Sequence, residues 1–299
     1  MKTIITIALV GLGAQLVDGT LGMAYGVTST TLLLTAGYSP AIASASVHLA
    51  EIGTTLASGA AHWRFGNVNW SVVRSIGIPG AIGAFAGATF LSSLSTEAAA
   101  PWMAGILLAL GVYLLLRFAT KVPTNKHEVP PRKRFLAPLG LFAGFVDATG
   151  GGGWGPVATP TLISSGRMTP RRVIGTVDTS EFLVAVAASA GFFFGIGSAD
   201  IPWSAVAGLL AGGLVAAPLA AYLVRHVPTR LLGVAVGGVI VLTNTRTLLN
   251  AFEVGNAPRP SIYLTLFTAW LVFLGLALQG MRKDRLDRRA TASDELAAA

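Results

Sequence analysis

The sequence contains no cysteine and few charged side chains. Of its 299 residues, 11% are charged whereas 53% are hydrophobic, and the mean hydropathy is +0.67. The absence of cysteine excludes disulfides, thiolate metal sites and cysteine nucleophiles. Apolar segments of about 20 residues, the length with which a helix crosses a bilayer, recur through nearly the whole chain. The sequence therefore predicts an integral membrane protein surrounded by the lipid bilayer.

Positive charge exceeds negative charge, with 21 Lys and Arg against 13 Asp and Glu. Nucleic-acid-binding proteins also carry such an excess, but here the basic residues cluster between the apolar segments. Lys and Arg concentrate in the cytoplasmic loops of membrane proteins. We interpret these residues as topology signals and predict no nucleic-acid partner.

A glycine run interrupts the apolar pattern near the middle of the chain. Residues 146–156 read Val-Asp-Ala-Thr-Gly-Gly-Gly-Gly-Trp-Gly-Pro. In a helix interior Gly costs about 1 kcal/mol relative to Ala, and Pro costs about 3 kcal/mol. Unwound backbone at membrane depth is tolerated only where protein or a water-filled cavity surrounds it. The run therefore predicts a broken helix with a binding site at the break.

The same stretch occurs twice. Residues 17–26 read Val-Asp-Gly-Thr-Leu-Gly-Met-Ala-Tyr-Gly, so that Asp18 corresponds to Asp147. After short slips the match continues through the pairs Pro40 and Pro170, Glu51 and Glu181, and Trp70 and Trp203. The chain thus consists of two related halves, each opening with a broken helix. Such pairs of Gly-interrupted segments indicate the substrate site of a transporter.

The segments around the first break are short. Residues 3–17 and 27–36 would extend about 22 and 15 Å as helices, against a hydrocarbon core of about 30 Å. They either stack into one broken span or fold back as a re-entrant hairpin. Basic residues precede and follow the second broken pair, at residues 132–134 and 167–172, which places both of its ends in the cytoplasm. This pattern favours re-entrant hairpins.

The predicted fold class is an all-α polytopic membrane protein with two inverted repeats. Each repeat, residues 1–118 and 135–250, comprises a re-entrant broken-helix hairpin and three transmembrane helices. A cytoplasmic linker spans residues 119–134, an extra transmembrane helix lies in 251–281, and a frayed cytoplasmic tail covers 282–299. The N-terminus is predicted outside and the C-terminus inside. The first segment also resembles a signal peptide, but its internal copy argues against cleavage.

The inner half of each hairpin would begin near the bilayer midplane. Free N–H groups and the positive end of the helix dipole favour an anion there. Alternatively, the glycines serve only close helix packing; the match to the dinucleotide pattern G-x-G-x-x-G is weak. The predicted substrate-binding residues are Gly22, Tyr25, Gly26, Thr28, Thr149, Gly151, Gly152, Gly153, Trp154 and Gly155.

Two pairs of ionisable residues follow the breaks: His48 with Glu51, and Asp178 with Glu181. A spacing of three places each pair on one helix face. Such residues inside a membrane normally line a pathway or pair with one another. We predict that they act in proton coupling or in the pathway; the alternative is structural pairing or a position in the headgroup zone.

Asp18 and Asp147 stand immediately before the inner halves of the two hairpins. Aspartate is a preferred helix cap, so we expect these residues to cap those inner helices rather than to bind metal. No metal site and no cofactor is expected.

The run at residues 147–160, a glycine stretch followed by Gly-Pro and then Thr-Pro-x-Leu, has a weaker copy starting at Asp18. With these motifs the chain resembles the TauE/SafE family of membrane anion transporters, often called sulfite exporters, from about Ile4 to Leu249. The resemblance implies a carrier in the plasma membrane of a prokaryote that moves sulfite, sulfonates such as sulfoacetate, or related small organic anions. The first copy has Thr-Leu-Gly-Met-Ala-Tyr in place of the glycine run, so the two hairpins are expected to contact substrate unequally.

The sequence as a whole predicts a secondary anion carrier that works by alternating access, with substrate held between the hairpin tips. An anion channel of the same architecture is the first alternative. An intramembrane enzyme is the second, and the absence of H-E-x-x-H, G-x-S-x-G and cysteine argues against it. The direction of transport, the coupling ion and the oligomeric state are left open.

Overall fold

The structure is a computed structural model that describes residues 2–21, 23–119, 129–165, 167–223 and 229–297. Within these residues it contains eleven α-helices and no β-strand. The helices are α1 Lys2–Leu21, α2 Tyr25–Thr35, α3 Pro40–Arg64, α4 Trp70–Ser93, α5 Thr96–Ala119, α6 Lys133–Gly150, α7 Trp154–Ser164, α8 Pro170–Ile196, α9 Trp203–Leu223, α10 Thr229–Ala251 and α11 Arg259–Ala297.

The helix boundaries repeat with the sequence. Both α2 and α7 have 11 residues, and they begin at Tyr25 and Trp154, which are separated by the same offset as Asp18 and Asp147. α3 and α8 both begin with proline, whose missing N–H costs nothing in the first turn of a helix. The duplication is therefore a property of the fold as well as of the sequence.

The two breaks are shorter than the sequence analysis predicts. α1 continues past Asp18 to Leu21, and α6 continues past Asp147 to Gly150. At 1.5 Å per residue these helices extend about 30 and 27 Å. α1 is thus longer than the length of about 22 Å expected for residues 3–17, but neither α1 nor α6 is among the described helices that are long and apolar enough to cross a membrane. The left-handed conformation of Gly151 (φ 67°) ends α6, and Gly150 is tolerated in the last turn.

Glycines let one helix of each half pack closely and in parallel against a broken helix of the other half. α4 runs parallel to α6, and α1 runs parallel to α9. Without side chains at these positions the backbones approach directly. The contacts that fix these directions are Ile76 with Gly140, Gly80 with Gly144, Ile4 with Gly208 and Ala8 with Gly212.

Other corresponding helices run in opposite directions. α3 is antiparallel to α8, since Gly59 contacts Thr179 while His62 contacts Gly175 nearer the start of α8. α5 is antiparallel to α10 in the same manner, with contacts between Gly111 and Ile240 and between Phe118 and Gly233. The C-terminal end of α3 therefore lies beside the N-terminal end of α8.

In the part of the chain that the structure describes, five helices are long and apolar enough to cross a membrane: α4, α5, α8, α10 and α11. Large apolar side chains are exposed on the outside of the bundle, such as Ile82 on α4 and Phe194 on α8, which fits contact with lipid. α11 continues as a helix to Ala297, so the prediction of a frayed tail from residue 282 is wrong. That segment is rich in Ala and Arg, which are strong helix formers.

Candidate functional site

The two helix breaks contact each other in the middle of the bundle. Gly152 has a φ of 141° and lies directly against the backbone of Gly26 and Val27. The Thr30 hydroxyl on α2 donates a hydrogen bond to the carbonyl oxygen of Gly151. From α3, Ser44 Oγ donates to the carbonyl oxygen of Ala148 at 2.7 Å. The first half of the chain thus holds the break of the second half in place.

A carboxylate from the preceding helix caps each inner helix. Asp147 Oδ1 accepts hydrogen bonds from the N–H groups of Gly153 (2.6 Å) and Trp154 (2.9 Å). Asp18 Oδ1 accepts from the Tyr25 N–H at 3.1 Å, over the same separation of seven residues. The caps agree with the sequence analysis. However, they occupy N–H groups that were predicted to be free for an anion, so that prediction is wrong for Tyr25, Gly153 and Trp154.

Ala24 stands at the start of α2 with φ 144° and ψ 7°, a conformation that side chains rarely adopt. Its counterpart in the second break is Gly153. Strain of this kind costs about 1 to 3 kcal/mol. We therefore expect Ala24→Gly to raise the free energy of unfolding by about 1 kcal/mol, which thermal unfolding in detergent measures. Ala60→Gly, on the exposed face of α3, should instead lower it by about 1 kcal/mol, and a similar loss in Ala24→Gly would contradict the strain.

A cavity of about 520 Å³ opens from the contact between the two breaks. Tyr25, Gly26, Gly152 and Gly153 form its inner end, while α1, α3, α8 and α9 supply its walls. It extends along α3 to Ala57 and Ala61, which are exposed, and to His62 near the end of that helix. The cavity therefore connects the two breaks with the end of the bundle that carries Arg64.

A small polar recess adjoins the inner end of this cavity. Its volume is about 20 Å³, room for about one water molecule. Four carboxylates line it, those of Asp18, Glu51, Asp178 and Glu181. The other lining residues are neutral and polar: Gln15, Tyr25, Thr54, Thr55 and Ser58. Among them, Ser58 Oγ donates to Asp178 Oδ2 at 2.7 Å and Tyr25 Oη donates to the Leu209 carbonyl at 3.2 Å.

The His48 side chain is fully buried. Its Nδ1 is 2.9 Å from Glu51 Oε2 and 3.8 Å from Asp147 Oδ2, and its ring stacks on Phe192. All three ionisable side chains are at most 2% exposed. Asp147 Oδ2 and His48 Nε2 have no hydrogen-bond partner. The cap of α7 is thereby connected to the ionisable pair on α3.

The predicted site residues differ in whether they line the cavity. Seven of them line the cavity: Tyr25, Gly26, Gly152, Gly153, Gly155, Asp178 and Glu181. Glu51 lines the recess only, and Gly22 lies outside the described residues. The remaining five are not among the residues that line the cavity: Thr28, His48, Thr149, Gly151 and Trp154.

Trp154 and Thr149 use their polar groups within the protein. The Trp154 ring is fully buried and its Nε1 donates to the Val177 carbonyl at 3.0 Å. Thr149 Oγ1 donates to the Phe145 carbonyl one turn earlier, at 2.7 Å. Neither side chain offers its donor to the cavity, contrary to the sequence analysis.

Sequence reasoning missed the neutral polar residues of the recess. Thr54, Thr55 and Ser58 follow Glu51 at intervals of three to seven, which places them along one face of α3. A polar stripe at helical spacing inside an apolar protein is the signal that would have found them.

Comparison with known proteins identifies the family of the chain. The family described as sulfite exporter TauE/SafE matches residues 7–247. A relative from Bacillus subtilis (strain 168), described as probable membrane transporter protein YtnM, is 53% identical over 273 residues, which is 91% of each chain. No solved structure matches the chain. On these two matches, the chain belongs to the TauE/SafE family of membrane transporters.

Proposed function

We propose that this protein is a secondary transporter of small anions, sulfite or organosulfonates such as sulfoacetate, that works by alternating access in the plasma membrane of a prokaryote. The observation that carries the proposal is the contact between the two breaks at the inner end of the cavity. The lack of side chains at Gly26 and Gly152 allows the two breaks to touch, and both glycines line the cavity at this contact. The family is described as sulfite exporters, which supports a sulfur oxyanion as the substrate.

The proposal includes two inverted repeats built around re-entrant hairpins. The antiparallel packing of α3 with α8, and of α5 with α10, supports opposite orientations of the halves. The short connection at residues 197–202 reverses the chain, so α9 is antiparallel to α8. Because α3 is also antiparallel to α8, α9 is parallel to α3. Because α1 is parallel to α9, the first hairpin starts and finishes at the same end of the bundle.

The charges at the helix ends support a cytoplasmic C-terminus and an outside N-terminus. The antiparallel packing brings Arg64, at the end of α3, to the same end of the bundle as Arg171 and Arg172 at the start of α8. Arg117 lies near the C-terminal end of α5 and Arg230 near the N-terminal end of α10. Because these helices are antiparallel, both residues lie at the same end of the helix pair. Since basic residues favour the cytoplasmic side, the cavity faces the cytoplasm in this conformation.

A thermal-shift screen of purified protein tests the proposal. The anions are sulfite, sulfoacetate, sulfate, acetate and chloride. Binding stabilises the folded protein by mass action and so raises its melting temperature. At an anion concentration of 100 times Kd the free energy of unfolding increases by about 2.7 kcal/mol. We expect a sulfur oxyanion to stabilise the wild type, and Ala57→Trp to abolish this response because the indole fills the cavity.

Ala60→Trp is the matched control, since Ala60 is exposed on the same helix but does not line the cavity. It should respond to the anion as the wild type does. If no anion stabilises the wild type, or if both tryptophan variants respond equally, the cavity is not an anion site. Counterflow in liposomes then separates a carrier from an anion channel, because only a carrier exchanges labelled for unlabelled substrate.

A further inference from the structure

Each half of the chain contributes ionisable side chains at related places, and they meet across the two halves. Asp147 of the second half faces His48 of the first, and Glu51 is hydrogen-bonded to that histidine. Asp18 of the first half shares the recess with Asp178 and Glu181 of the second. We name the set Asp147, His48 and Glu51 the closed cluster, and the set Asp18, Asp178 and Glu181 the open cluster.

The closed cluster is buried and contains its own basic group; His48 and Asp147 line neither the cavity nor the recess, and Glu51 alone reaches the recess. Its three side chains are at most 2% exposed, and two of its polar atoms, Asp147 Oδ2 and His48 Nε2, have no hydrogen-bond partner. Removing one member of a buried ionic group is strongly destabilising, because the remaining charge is left uncompensated. Exchange of a proton between water and His48 or Asp147 would require the hairpins to separate, because neither residue lines the cavity or the recess.

The open cluster differs in access and in charge. Its three side chains are half-buried and line the cavity. Asp178 occupies the position that corresponds to His48, so the basic group is replaced by a third carboxylate. No Lys or Arg is found among the described residues that line the cavity. Carboxylates that share one site cannot all be ionised without a compensating cation.

The groups that face the open cluster do not supply that cation. They are Tyr25 from α2, Glu51 from α3 and Asp147 from α6, together with His62, which lines the outer part of the cavity. An anion that enters the cavity would meet the carboxylates at its inner end. Entry is therefore favourable only after protons have reduced their charge.

We propose that the two clusters divide the work of coupling, so that the open cluster carries the proton that travels with the anion while the closed cluster stays structural. This inference rests on the proposed function. On one side of the membrane a carboxylate of the open cluster takes a proton from water, and the anion then enters. On the other side the same carboxyl group returns the proton to water as the anion leaves. Only one O–H bond forms and breaks, and the carboxylate is restored.

The test measures protons moved per anion in liposomes that contain the purified protein, labelled sulfoacetate and an internal pH dye. Sulfoacetate has no group that titrates near neutral pH, so the dye reports protons moved by the protein. In Glu181→Gln and Asp178→Asn we expect the ratio to fall about 10-fold or more, within the usual range of coupling between two sites. Glu97→Gln, an exposed acid at the start of α5, is the control and should keep the wild-type ratio.

Variants of the closed cluster are expected to keep the wild-type ratio of protons to anions. His48→Gln should lower the melting temperature and the total flux but leave the ratio unchanged. Asp147→Asn, which keeps the shape and the capping oxygen, provides the same test where the histidine variant does not fold. A ratio that falls in these variants and survives in Glu181→Gln and Asp178→Asn would overturn the assignment.

Two further results separate this inference from the proposed function. Flux that follows a sodium gradient and ignores pH would overturn the proton assignment alone, as would sulfoacetate transport by the wild type without proton movement. Failure of the wild type to bind or move any anion of the screen would overturn the proposed function as well.

Discussion

Gly152→Ala is expected to abolish transport and to lower the free energy of unfolding by about 2 to 6 kcal/mol. The left-handed φ of 141° costs about 1 to 3 kcal/mol for a residue with a side chain. The added Cβ would also overlap the backbone of Gly26 and Val27, and overpacking costs about 1 to 3 kcal/mol more. Relief of the overlap requires the two breaks to separate. Fluorescence-detected gel filtration on heating, together with flux in liposomes, measures both effects.

Gly105→Ala is the matched control for this variant. Gly105 lies in α5 with no atom within 4 Å of an added Cβ, so alanine there should be neutral or should stabilise the helix by about 1 kcal/mol. Wild-type stability and flux in Gly152→Ala would show that the breaks are not in contact, and the proposed site between them would be abandoned.

Asp147→Ala is expected to have an effect of similar size, a loss of about 3 to 6 kcal/mol of stability. The change removes two hydrogen bonds from backbone N–H groups to a charged acceptor, each worth about 1.5 to 3 kcal/mol. It also removes the carboxylate that faces His48 in a fully buried place. Thermal unfolding in detergent measures the loss.

Two related variants separate the cap from the charge. Asp147→Asn keeps an oxygen that accepts from Gly153 and Trp154, so it should lose only about 1 to 2 kcal/mol. Asp18→Ala should lose less than Asp147→Ala, because Asp18 is half-buried and its bond to the Tyr25 N–H is longer, at 3.1 Å. Equal losses for the two alanine variants would contradict the different burial of the two caps.

The duplication, the positions of both breaks and the capping role of the two aspartates are visible in the sequence. They depend on local chemistry: glycine disfavours helix, proline starts one, and aspartate accepts N–H groups at a helix start. The ionisable pairs on α3 and α8 are also visible, because polar residues are rare in an apolar chain. Local signals of this kind need no knowledge of packing.

Other features depend on contacts between distant segments and were not predictable. The helices before the breaks extend about one turn further than expected. In α6 the helix continues to Gly150, the first residue of the glycine run, and ends at the left-handed Gly151. The Trp154 indole N–H donates a hydrogen bond to the Val177 carbonyl, a contact that only the tertiary structure reveals. The pairing of Asp147 with His48 joins opposite halves, so no pattern within either half indicates which cluster faces the cavity.

The absence of cysteine permits a direct test of the central claim that substrate occupies the cavity between the two breaks. A single cysteine is introduced as Ala57→Cys, which lines the cavity, or as Ala60→Cys, which is exposed on the same helix away from it. The measurement is the rate at which a membrane-impermeant thiol reagent modifies each cysteine in inside-out vesicles, with and without sulfoacetate. The account predicts that sulfoacetate slows modification at position 57 and leaves any modification at position 60 unchanged. Equal rates at position 57 with and without saturating sulfoacetate would contradict it.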